Sequence, residues 1–338
     1  MRAYQLHRAE GFDSVVLGDL PSASLQPHDV RIQVRAVSLN YRDLAIARSA
    51  HARPTDAQPV IPCSDGTGEV TEVGSAVSRF RIGDRVAGIF FSTWLDGQIE
   101  AHHHGHALGG SADGMLAESV VLDEQALIAI PVHLSWEEAA TLPCAGVTAY
   151  HALFEAAHIG PGQTVVVQGT GGVSMYALQL SKAAGVRAVV TSRSAEKRAK
   201  ATALGADHVI DYVATPTWGE AAFAWTENRG ADVVVEVGGP GTFDQSIAAL
   251  RHGGTLTQIG GLTGGRGEVS TSGILLKSLR IYGIYVGSRR MFEALNRAVT
   301  INKLRPVVDK VFDFDDARSA YEYMASGAHF GKVVIRVS

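Results

Sequence analysis

The sequence predicts an α/β fold with a doubly wound parallel sheet in the middle of the chain, a β-rich region before it and a short mixed tail after it. Three observations carry this prediction. Apolar and polar residues alternate in Asp29–Ser38 and again in 68–73, as they do in strands with one buried face. Strand patterns and helical patterns then alternate along the middle of the chain. The tail ends in one more strand pattern, 332–337.

The individual elements follow from the same periodicities. In the β-rich region the predicted strands are 29–38, 68–73 and 116–122, and the turn Gly83-Asp84-Arg85-Val86 leads into another strand. In the middle region the predicted strands are 164–168, 187–191, 208–212, 231–237, 254–259 and 279–286. The tail has predicted helices at 290–304 and 315–324. Ser135 and Glu138 have the spacing of a capping box before a helix.

The composition gives no reason to expect several classes of partner. The 338 residues are 46% apolar and 19% charged, with a formal net charge of −4, so there is no electrostatic reason to expect nucleic acid or an anionic membrane as a partner. No run approaches the roughly 18 apolar residues of a membrane span, and the first residues lack the apolar segment of a signal peptide. Two cysteines, Cys63 and Cys144, are too few for a disulfide framework, so a cytoplasmic protein with reduced thiols is expected.

Residues 164–174, TVVVQGTGGVS, are the most informative stretch of the sequence. An apolar strand leads directly into Gly169-x-Gly171-Gly172, and a helical pattern begins at Val173. This strand–turn–helix arrangement holds a dinucleotide, because the glycines let the backbone approach the pyrophosphate and the helix N-terminus stabilises its charge. Ser174 stands where a third glycine is usual, so slightly looser helix packing is expected there. The alternative is a glycine turn of some other α/β unit.

Together these features resemble the medium-chain dehydrogenase/reductase superfamily over nearly the whole chain. Besides the glycine turn, the resemblance rests on four short motifs: GDRV at 83–86, AATLP at 139–143, LGAD at 204–207 and GKVV at 331–334. It implies a Rossmann nucleotide-binding domain at 146–286, inserted in a GroES-like catalytic domain made of 1–145 and 287–338. It also implies an oxidoreductase whose cofactor lies in the cleft between the two domains.

The end of the second strand of the Rossmann domain predicts NADP(H) as the cofactor. A sheet that binds NAD carries a carboxylate here for the ribose 2′-hydroxyl, but this strand ends in Ser192 and Arg193. A hydroxyl and a guanidinium suit a 2′-phosphate. The resemblance implies that Lys197 and Tyr212 also reach that phosphate. The alternative is that the basic residues are a solvated helix start and that NADH binds as well.

The resemblance also implies the remaining cofactor contacts. They are Thr170 in the glycine turn and, toward the nicotinamide, Thr148, Val237, Gly238, Gly260, Gly261, Leu262, Ile284 and Val286. The last two belong to the predicted strand 279–286, which pairs across a two-fold axis in many relatives. Its sequence, IYGIYV, is apolar and β-branched, and an unpaired edge of this kind promotes aggregation. A homodimer through 279–286 is therefore expected.

Many members of the superfamily hold a catalytic zinc ion with three protein ligands. The resemblance places those three positions at Asn40, Ser64 and Cys144. Only the cysteine is a good zinc ligand, and the loop at 91–115, where relatives carry a four-cysteine zinc lobe, contains no cysteine. The sequence therefore resembles the zinc-independent branch, which includes quinone oxidoreductases and enoyl or acryloyl reductases.

Without a metal, hydrogen-bond donors must stabilise the charge that develops on the substrate oxygen. The candidate donors are Asn40, Tyr41, Arg42 and Ser64, and Tyr41 is the predicted donor to the substrate carbonyl. Asp43 and Asp65 are predicted to orient these groups or to relay protons through water. The alternative for Tyr41 is a packed aromatic ring. Relatives often carry a second tyrosine about ten residues on, a role that is vacant here or passes to His51.

Cys144 and the histidines of 102–106 each allow two interpretations. Cys144 either packs as a small apolar side chain near the nicotinamide or is a reactive thiol. The histidines of 102–106 lack the spacing that brings two imidazoles to one metal ion, so adventitious metal binding or a loop at the substrate entrance is expected instead. In that case Phe90, Phe91 and Trp94 form an aromatic wall.

Three functions remain open at this point. The first is a zinc-independent, NADPH-dependent oxidoreductase that transfers hydride to a small α,β-unsaturated carbonyl compound or a quinone. The second is a zinc-free, NADP-dependent alcohol dehydrogenase or carbonyl reductase, in which hydride goes to the carbonyl carbon. The third is a nucleotide-binding protein whose main role is not catalysis, as in crystallin-like relatives.

Overall fold

The computed structural model describes residues 1–7, 10–48 and 58–338. They form two compact units: the terminal unit, Met1–Val147 with Gly287–Ser338, and the inserted unit, Thr148–Val286. The later boundary coincides with the one expected from the sequence. The earlier boundary follows residue 147 instead of residue 145, within the first residues of a short helix.

The strands and helices are numbered along the chain. The strands are β1 (Arg2–Leu6), β2 (Val15–Asp19), β3 (Asp29–Ser38), β4 (Asp65–Val73), β5 (Arg85–Gly88), β6 (Ser119–Asp123), β7 (Leu127–Ala129), β8 (Thr164–Gln168), β9 (Arg187–Thr191), β10 (His208–Ile210), β11 (Ala231–Glu236), β12 (Leu250–Gln258), β13 (Arg280–Gly283), β14 (Val308–Asp313) and β15 (Lys332–Arg336). The α-helices are α1 (Tyr41–Arg48), α2 (Trp136–Ala139), α3 (Val147–Tyr150), α4 (Gly172–Ala183), α5 (Ala195–Ala203), α6 (Trp218–Trp225), α7 (Pro240–Ala249), α8 (Ser272–Leu276), α9 (Arg289–Ile301) and α10 (Ala317–Ala325).

The terminal unit is built on a seven-stranded sheet. Its order is β14-β15-β3-β4-β5-β7, and β6 also pairs with β3. The strand β3 has the predicted bounds, because its apolar residues alternate cleanly and Val30, Ile32 and Val34 are fully buried. The pairing brings Ser38 opposite both Asp65 of β4 and Val334 of β15. Three distant segments of the chain therefore meet at the end of β3.

The inserted unit contains a six-stranded parallel sheet of order β10-β9-β8-β11-β12-β13. This is the order of a doubly wound dinucleotide-binding sheet. The central strand β8 is buried on both faces, which explains its unbroken apolar sequence. The predicted fold class is therefore confirmed: an α/β protein with a doubly wound parallel sheet inserted in a β-rich unit.

Several predicted elements have different bounds. The predicted strand 279–286 is shorter, since β13 ends at Gly283, and Ile284 and Val286 lie beyond it. The backbone of Val286 has a left-handed φ of 58°, which no strand accommodates. Both residues are buried, and the Val286 carbonyl oxygen lies 2.7 Å from Nδ1 of His151. The capping box of Ser135 and Glu138 is confirmed by both of its hydrogen bonds.

Within the described ranges, no helix is both long enough and apolar enough to cross a membrane.

Candidate active site

A group of buried polar side chains lies where β3, β4 and β15 meet in the terminal unit. This polar cluster consists of Asn40, Asp43, Ser64, Asp65 and Lys332, all largely inaccessible to solvent. The strand pairings bring together residues that lie almost three hundred positions apart in the sequence. All of these residues except Lys332 were predicted from the sequence as site residues.

Lys332 is the member of the polar cluster that the sequence did not single out. Its ammonium group donates to the carbonyl oxygen of Leu39 and to Oδ1 of Asn40, both at 2.6 Å, and lies 3.9 Å from Oδ2 of Asp65. The side chain is 4% exposed, which is rare for a lysine unless it is paired. The available signal was a lysine directly before three apolar residues in the strand KVVIR, whose other charged residue, Arg336, is exposed at its end.

The two carboxyl groups of the polar cluster are both fully enclosed. Asp65 accepts hydrogen bonds from the Ser64 hydroxyl at 2.7 Å and from the Cys144 backbone N–H at 3.1 Å. Burial raises the pKa of Asp65 above its ordinary value, and the Lys332 ammonium offsets part of that effect.

Asp43 accepts a hydrogen bond from the backbone N–H of Asn40 at 2.7 Å. Its other oxygen, Oδ1, is buried without a hydrogen-bond partner within the described part of the chain. Burial raises the pKa of Asp43 to about 6, against the opposing effect of Arg42 and of the Asn40 N–H. This carboxyl group can therefore gain or lose a proton near neutral pH.

Tyr41 is the accessible member of this region. It begins α1, whose buried face is formed by Asp43, Leu44, Ile46 and Ala47. Tyr41 is 56% exposed, so it is not the packed aromatic ring of the alternative interpretation. A phenol next to Asn40 in sequence is thus presented to solvent.

Arg42 holds the loop that follows β5. Its guanidinium group lies 4.6 Å from the centre of the Phe90 ring and donates to the Leu108 carbonyl oxygen at 2.7 Å. The expected aromatic wall is wrong, because Phe90, Phe91 and Trp94 are at most 2% exposed. Their rings pack edge to face against one another instead, with 4.7 Å between the first pair.

The histidine-rich segment forms a 3-10 helix, Ala101–His106. His103 is buried, stacks on Trp94 and has Nδ1 3.1 Å from the Thr93 hydroxyl. Among the residues that the structure describes, no three His, Cys, Asp or Glu side chains are grouped to hold a metal ion. His51 lies outside the described residues.

The side chains of Asn40 and Ser64, two of the three positions at which the resemblance places zinc ligands, are hydrogen-bonded to other groups of the polar cluster. Oδ1 of Asn40 accepts a hydrogen bond from the Lys332 ammonium group. The positive charge of that group would repel a metal cation at the same oxygen. The Ser64 hydroxyl donates to Asp65. Burial raises the pKa of the Cys144 thiol above its ordinary value. The same shift argues against Cys144 as a reactive thiol.

The glycine turn of the inserted unit leaves room for a ligand. Gly169 has a φ of 69° and its N–H donates to the Thr191 carbonyl oxygen at 2.9 Å, which fixes the turn. A Cβ atom at Gly169 or Gly171 would meet no atom within 4 Å. No side chain caps the N-terminus of α4 at Gly171. These features fit a pyrophosphate approached by bare backbone, beside Thr170, Gly172 and Val173.

The expectation of looser packing at Ser174 is wrong. The serine is buried, and its hydroxyl donates to the Gln168 carbonyl oxygen at 2.7 Å. The side chain therefore ties the first turn of α4 to the end of β8 by a hydrogen bond.

The remaining predicted cofactor residues follow the carboxyl ends of neighbouring parallel strands. Ser192 follows β9, Val237 follows β11 and Gly260 lies just after β12, all at one edge of the sheet. Gly238 and Gly261 continue two of these loops, Leu262 and Tyr212 are exposed, and Thr148 is buried. The strand register thus brings the predicted cofactor loops together within the inserted unit.

Two buried polar residues that the sequence did not single out hold these loops. Oε1 of Gln168 accepts the N–H groups of Val237 and Gly238, both at 3.1 Å. The buried Glu236 carboxylate accepts the N–H groups of Gly238 and Gly239 and the hydroxyl of Thr242. The signal available in the sequence was a polar residue at the end of each of two apolar strands.

The end of β9 carries an uncommitted cation. Ser192 is buried, whereas Arg193 is exposed and makes no ion pair or hydrogen bond within the described residues. Arg198, by contrast, donates to the Ser192 carbonyl oxygen and pairs with Asp211 at 2.9 Å. Lys197 lies in the first turn of α5, which the Ser194 hydroxyl caps.

Sequence-family models match most of both units. The model of the alcohol dehydrogenase GroES-like domain matches residues 26–132, and that of zinc-binding dehydrogenases matches residues 172–300. A zinc-type alcohol dehydrogenase-like protein from Schizosaccharomyces pombe is 44% identical, covering 93% of this chain and 92% of its own length. An acryloyl-coenzyme A reductase from Metallosphaera sedula is 32% identical, covering 91% and 92%.

Solved structures agree with these matches. A proposed alcohol dehydrogenase from Sinorhizobium meliloti has a TM-score of 0.93 at 40% identity, covering 99% of this chain and 98% of its own. An NAD-dependent alcohol dehydrogenase has a TM-score of 0.91 at 31% identity, with both chains fully covered. A 2-octenoyl-CoA carboxylase reductase solved with NADP and 2-octenoyl-CoA has a TM-score of 0.86 at 27% identity, covering 99% and 87%. The chain therefore belongs to the medium-chain dehydrogenase/reductase superfamily, and it is an oxidoreductase that uses a nicotinamide cofactor.

Proposed function

We propose that the protein is a zinc-independent, NADPH-dependent reductase that transfers hydride to an α,β-unsaturated carbonyl compound or a quinone. The observation that carries the proposal is the polar cluster, in which an ammonium group and hydrogen-bonded side chains surround two of the positions, Asn40 and Ser64, at which the resemblance places zinc ligands. The names of two relatives, an acryloyl-CoA reductase and a 2-octenoyl-CoA carboxylase reductase, support this substrate class.

The chain's own residues supply the hydrogen bond to the substrate oxygen and the proton that the reaction requires. The bound nicotinamide supplies the hydride. As hydride reaches the β-carbon of the substrate, negative charge develops on the carbonyl oxygen, and the Tyr41 hydroxyl donates a hydrogen bond to it. A proton must then reach the α-carbon. Asp43, with a pKa of about 6, is the buried group best matched to hold that proton near neutral pH.

The preference for NADPH rests on the end of β9. Arg193 is an exposed guanidinium that no described carboxylate neutralises, and no acid stands where the ribose 2′-hydroxyl of NADH would be held. Ser192, Lys197 and Tyr212 complete the proposed phosphate site.

A second candidate is a zinc-free alcohol dehydrogenase or carbonyl reductase, which the names of several relatives favour. The test uses chelator-treated protein, NADPH and an α,β-unsaturated aldehyde, with identification of the product. A saturated aldehyde supports the proposed reaction. An allylic alcohol means that hydride went to the carbonyl carbon and moves the protein to the second candidate. Activity that disappears on chelation and returns with zinc contradicts both.

Tyr41→Phe tests the donor role in the same assay. We expect kcat to fall on the order of 100-fold, because one preorganised donor to a developing oxyanion contributes about that much. The Kd of NADPH should not change. Tyr323→Phe is the matched control, since it also loses one phenol hydroxyl in the terminal unit, where that hydroxyl bonds to Asp309. Unchanged turnover in Tyr41→Phe removes the residue from the mechanism.

We also propose that the protein is a cytoplasmic homodimer formed through β13. The strand is the outer edge of its sheet, and its four residues are all exposed. Pairing of two such edges satisfies the free backbone groups and covers Ile281 and Tyr282. Both cysteines are free thiols, as a reducing compartment favours.

A further inference from the structure

We propose that Lys332 is a positioning residue that fixes the side-chain amide of Asn40, so that an Asn40 N–H donates a second hydrogen bond to the substrate carbonyl oxygen. The inference rests on the proposed function only in requiring a carbonyl substrate. It applies equally to hydride transfer to the β-carbon and to the carbonyl carbon, because charge develops on the same oxygen in both reactions.

The ammonium group determines which way the amide faces. An ammonium group only donates, so the atom 2.6 Å from Nζ of Lys332 must be the oxygen of Asn40. The amide nitrogen is thereby turned to the opposite side, where it donates to Ser64 Oγ at 3.5 Å. This assignment follows from chemistry and not from the shape of the amide, which is nearly symmetric.

The proposal assigns the second N–H of Asn40 to a ligand. The amide nitrogen carries two hydrogens, and its acceptors among the described residues are Ser64 Oγ and the Asp65 carboxylate. Those two acceptors are bonded to each other at 2.7 Å, and the proposal assigns one N–H of Asn40 to this pair of oxygens. The Ser64 hydroxyl donates its only hydrogen to Asp65, so it cannot also donate to the substrate.

The other candidate donors in the terminal unit already have partners in the protein. The Arg42 guanidinium lies on the Phe90 ring and bonds to the Leu108 carbonyl. Lys332 is buried and spends two of its hydrogens on Leu39 and Asn40. Of the four donors expected from the sequence, Asn40 and Tyr41 remain, and they are adjacent in the chain.

The charge of Lys332 serves a second purpose. Two enclosed carboxyl groups, Asp43 and Asp65, lie in the same cluster, and an unbalanced buried charge is costly. An apolar side chain in place of the ammonium would remove the cation nearest to Asp65 and would leave the Asn40 oxygen without that donor. Lys332 therefore combines a hydrogen bond to the Asn40 oxygen with a positive charge near the two carboxyl groups.

A double-mutant cycle tests the inference, using the full-length protein, NADPH and whichever carbonyl substrate the wild type reduces. The variants are Lys332→Met, Asn40→Ala and the double variant. We expect each single variant to lower kcat by between about 10-fold and 100-fold, with the Kd of NADPH unchanged. The double variant should fall little below the worse single variant, because Lys332 acts through Asn40. Losses that multiply, or an unchanged kcat in Lys332→Met, overturn the proposal.

Two further variants keep the test decisive if Lys332→Met does not fold. Asn40→Asp has the same shape and keeps the acceptor for Lys332, but it has no amide N–H. It should bind NADPH like the wild type while losing turnover, and normal turnover would refute the donor role. Lys332→Arg, which keeps the charge and the donors, should restore more activity than Lys332→Met.

A spectroscopic readout separates this inference from the choice of substrate. The side-chain amide signals of Asn40, identified by their loss in Asn40→Asp, should shift in the ¹⁵N NMR spectrum of the Lys332 variants. Unshifted signals would show that the contact with Lys332 does not determine the orientation of the Asn40 amide. A shift with an allylic alcohol as product would retain the inference and reject the proposed substrate class.

Discussion

Arg193 is the residue on which the choice between the two nicotinamide cofactors turns. Arg193→Gln should raise the Kd of NADPH on the order of tenfold, because it removes a charge-assisted hydrogen bond to the 2′-phosphate, and it should leave the Kd of NADH unchanged. Titration of cofactor fluorescence measures both constants. The matched control is Lys200→Gln, which removes one exposed positive charge from α5, where it pairs with Glu196. An equal change for both cofactors would mean that Arg193 does not contact the phosphate.

Asp43 makes the stability of the protein depend on pH. Its pKa is about 6 in the folded chain against an ordinary value of 3.8, under the combined influence of burial, Arg42, Asp65 and Lys332. The folded state therefore holds this proton more tightly than the unfolded state. The stabilisation is complete below pH 4 and is lost as the pH rises through 6, a difference of about 3 kcal/mol.

Asp43→Asn should remove that dependence. We expect the free energy of unfolding in urea, taken as variant minus wild type, to increase by up to about 3 kcal/mol between pH 4 and pH 7.5. Asp19→Asn, at an exposed position in β2, is the control and should run parallel to the wild type. Parallel curves for Asp43→Asn would mean that this carboxyl group titrates near its ordinary pKa.

Lys332 and Arg193 differ in how far they could be predicted. The place of Arg193 follows from its distance along the chain from the glycine turn, so local sequence was sufficient. The partners of Lys332 lie about 290 residues away, and no periodicity connects them. The expected roles of Phe90 and Trp94 failed for the same reason, since their burial depends on distant packing.

Among the elements, the turn between β8 and α4 is where a substitution should change cofactor affinity without changing the stability of the fold. Gly171 has a φ of −78°, and a Cβ atom there would meet nothing within 4 Å. Gly171→Ala should therefore leave the melting temperature unchanged but raise the Kd of NADPH at least tenfold, because the methyl group occupies the space of the pyrophosphate. Gly18→Ala, at an equally open position in β2, should change neither quantity. Unaltered cofactor binding would place the pyrophosphate elsewhere.

Elements with a clear period were predicted with the bounds that the structure has. The strands β3, β8 and β9 are examples, because each is buried in a regular pattern from end to end. The strand predicted at 279–286 was too long, since its apolar sequence continues past Gly283 while its backbone does not. The apolar sequence indicates that these residues are buried, but it does not indicate that Val286 adopts a left-handed φ of 58°.

At the scale of the whole molecule, the edge strand β13 predicts the oligomeric state. Ile281→Lys places a charge on an exposed edge residue and should convert a dimer into a monomer of 35.8 kDa in sedimentation experiments. The control Ile301→Lys makes the same change at an exposed position of α9 and should remain dimeric. A wild-type protein that sediments as a monomer would contradict the proposed assembly.

The pairing of Lys332 with Asn40 also bears on biosynthesis. Asn40 leaves the ribosome early, and β15 follows it 292 residues later, after the whole inserted unit. The glycine turn can thus be complete in a nascent chain whose Asn40 amide still lacks its ammonium partner. At ribosomal speeds of about 5 to 20 residues per second, that interval is at least fifteen seconds or so. The cofactor-binding unit is thus synthesised well before Lys332, which the proposal requires to orient Asn40 toward the substrate oxygen.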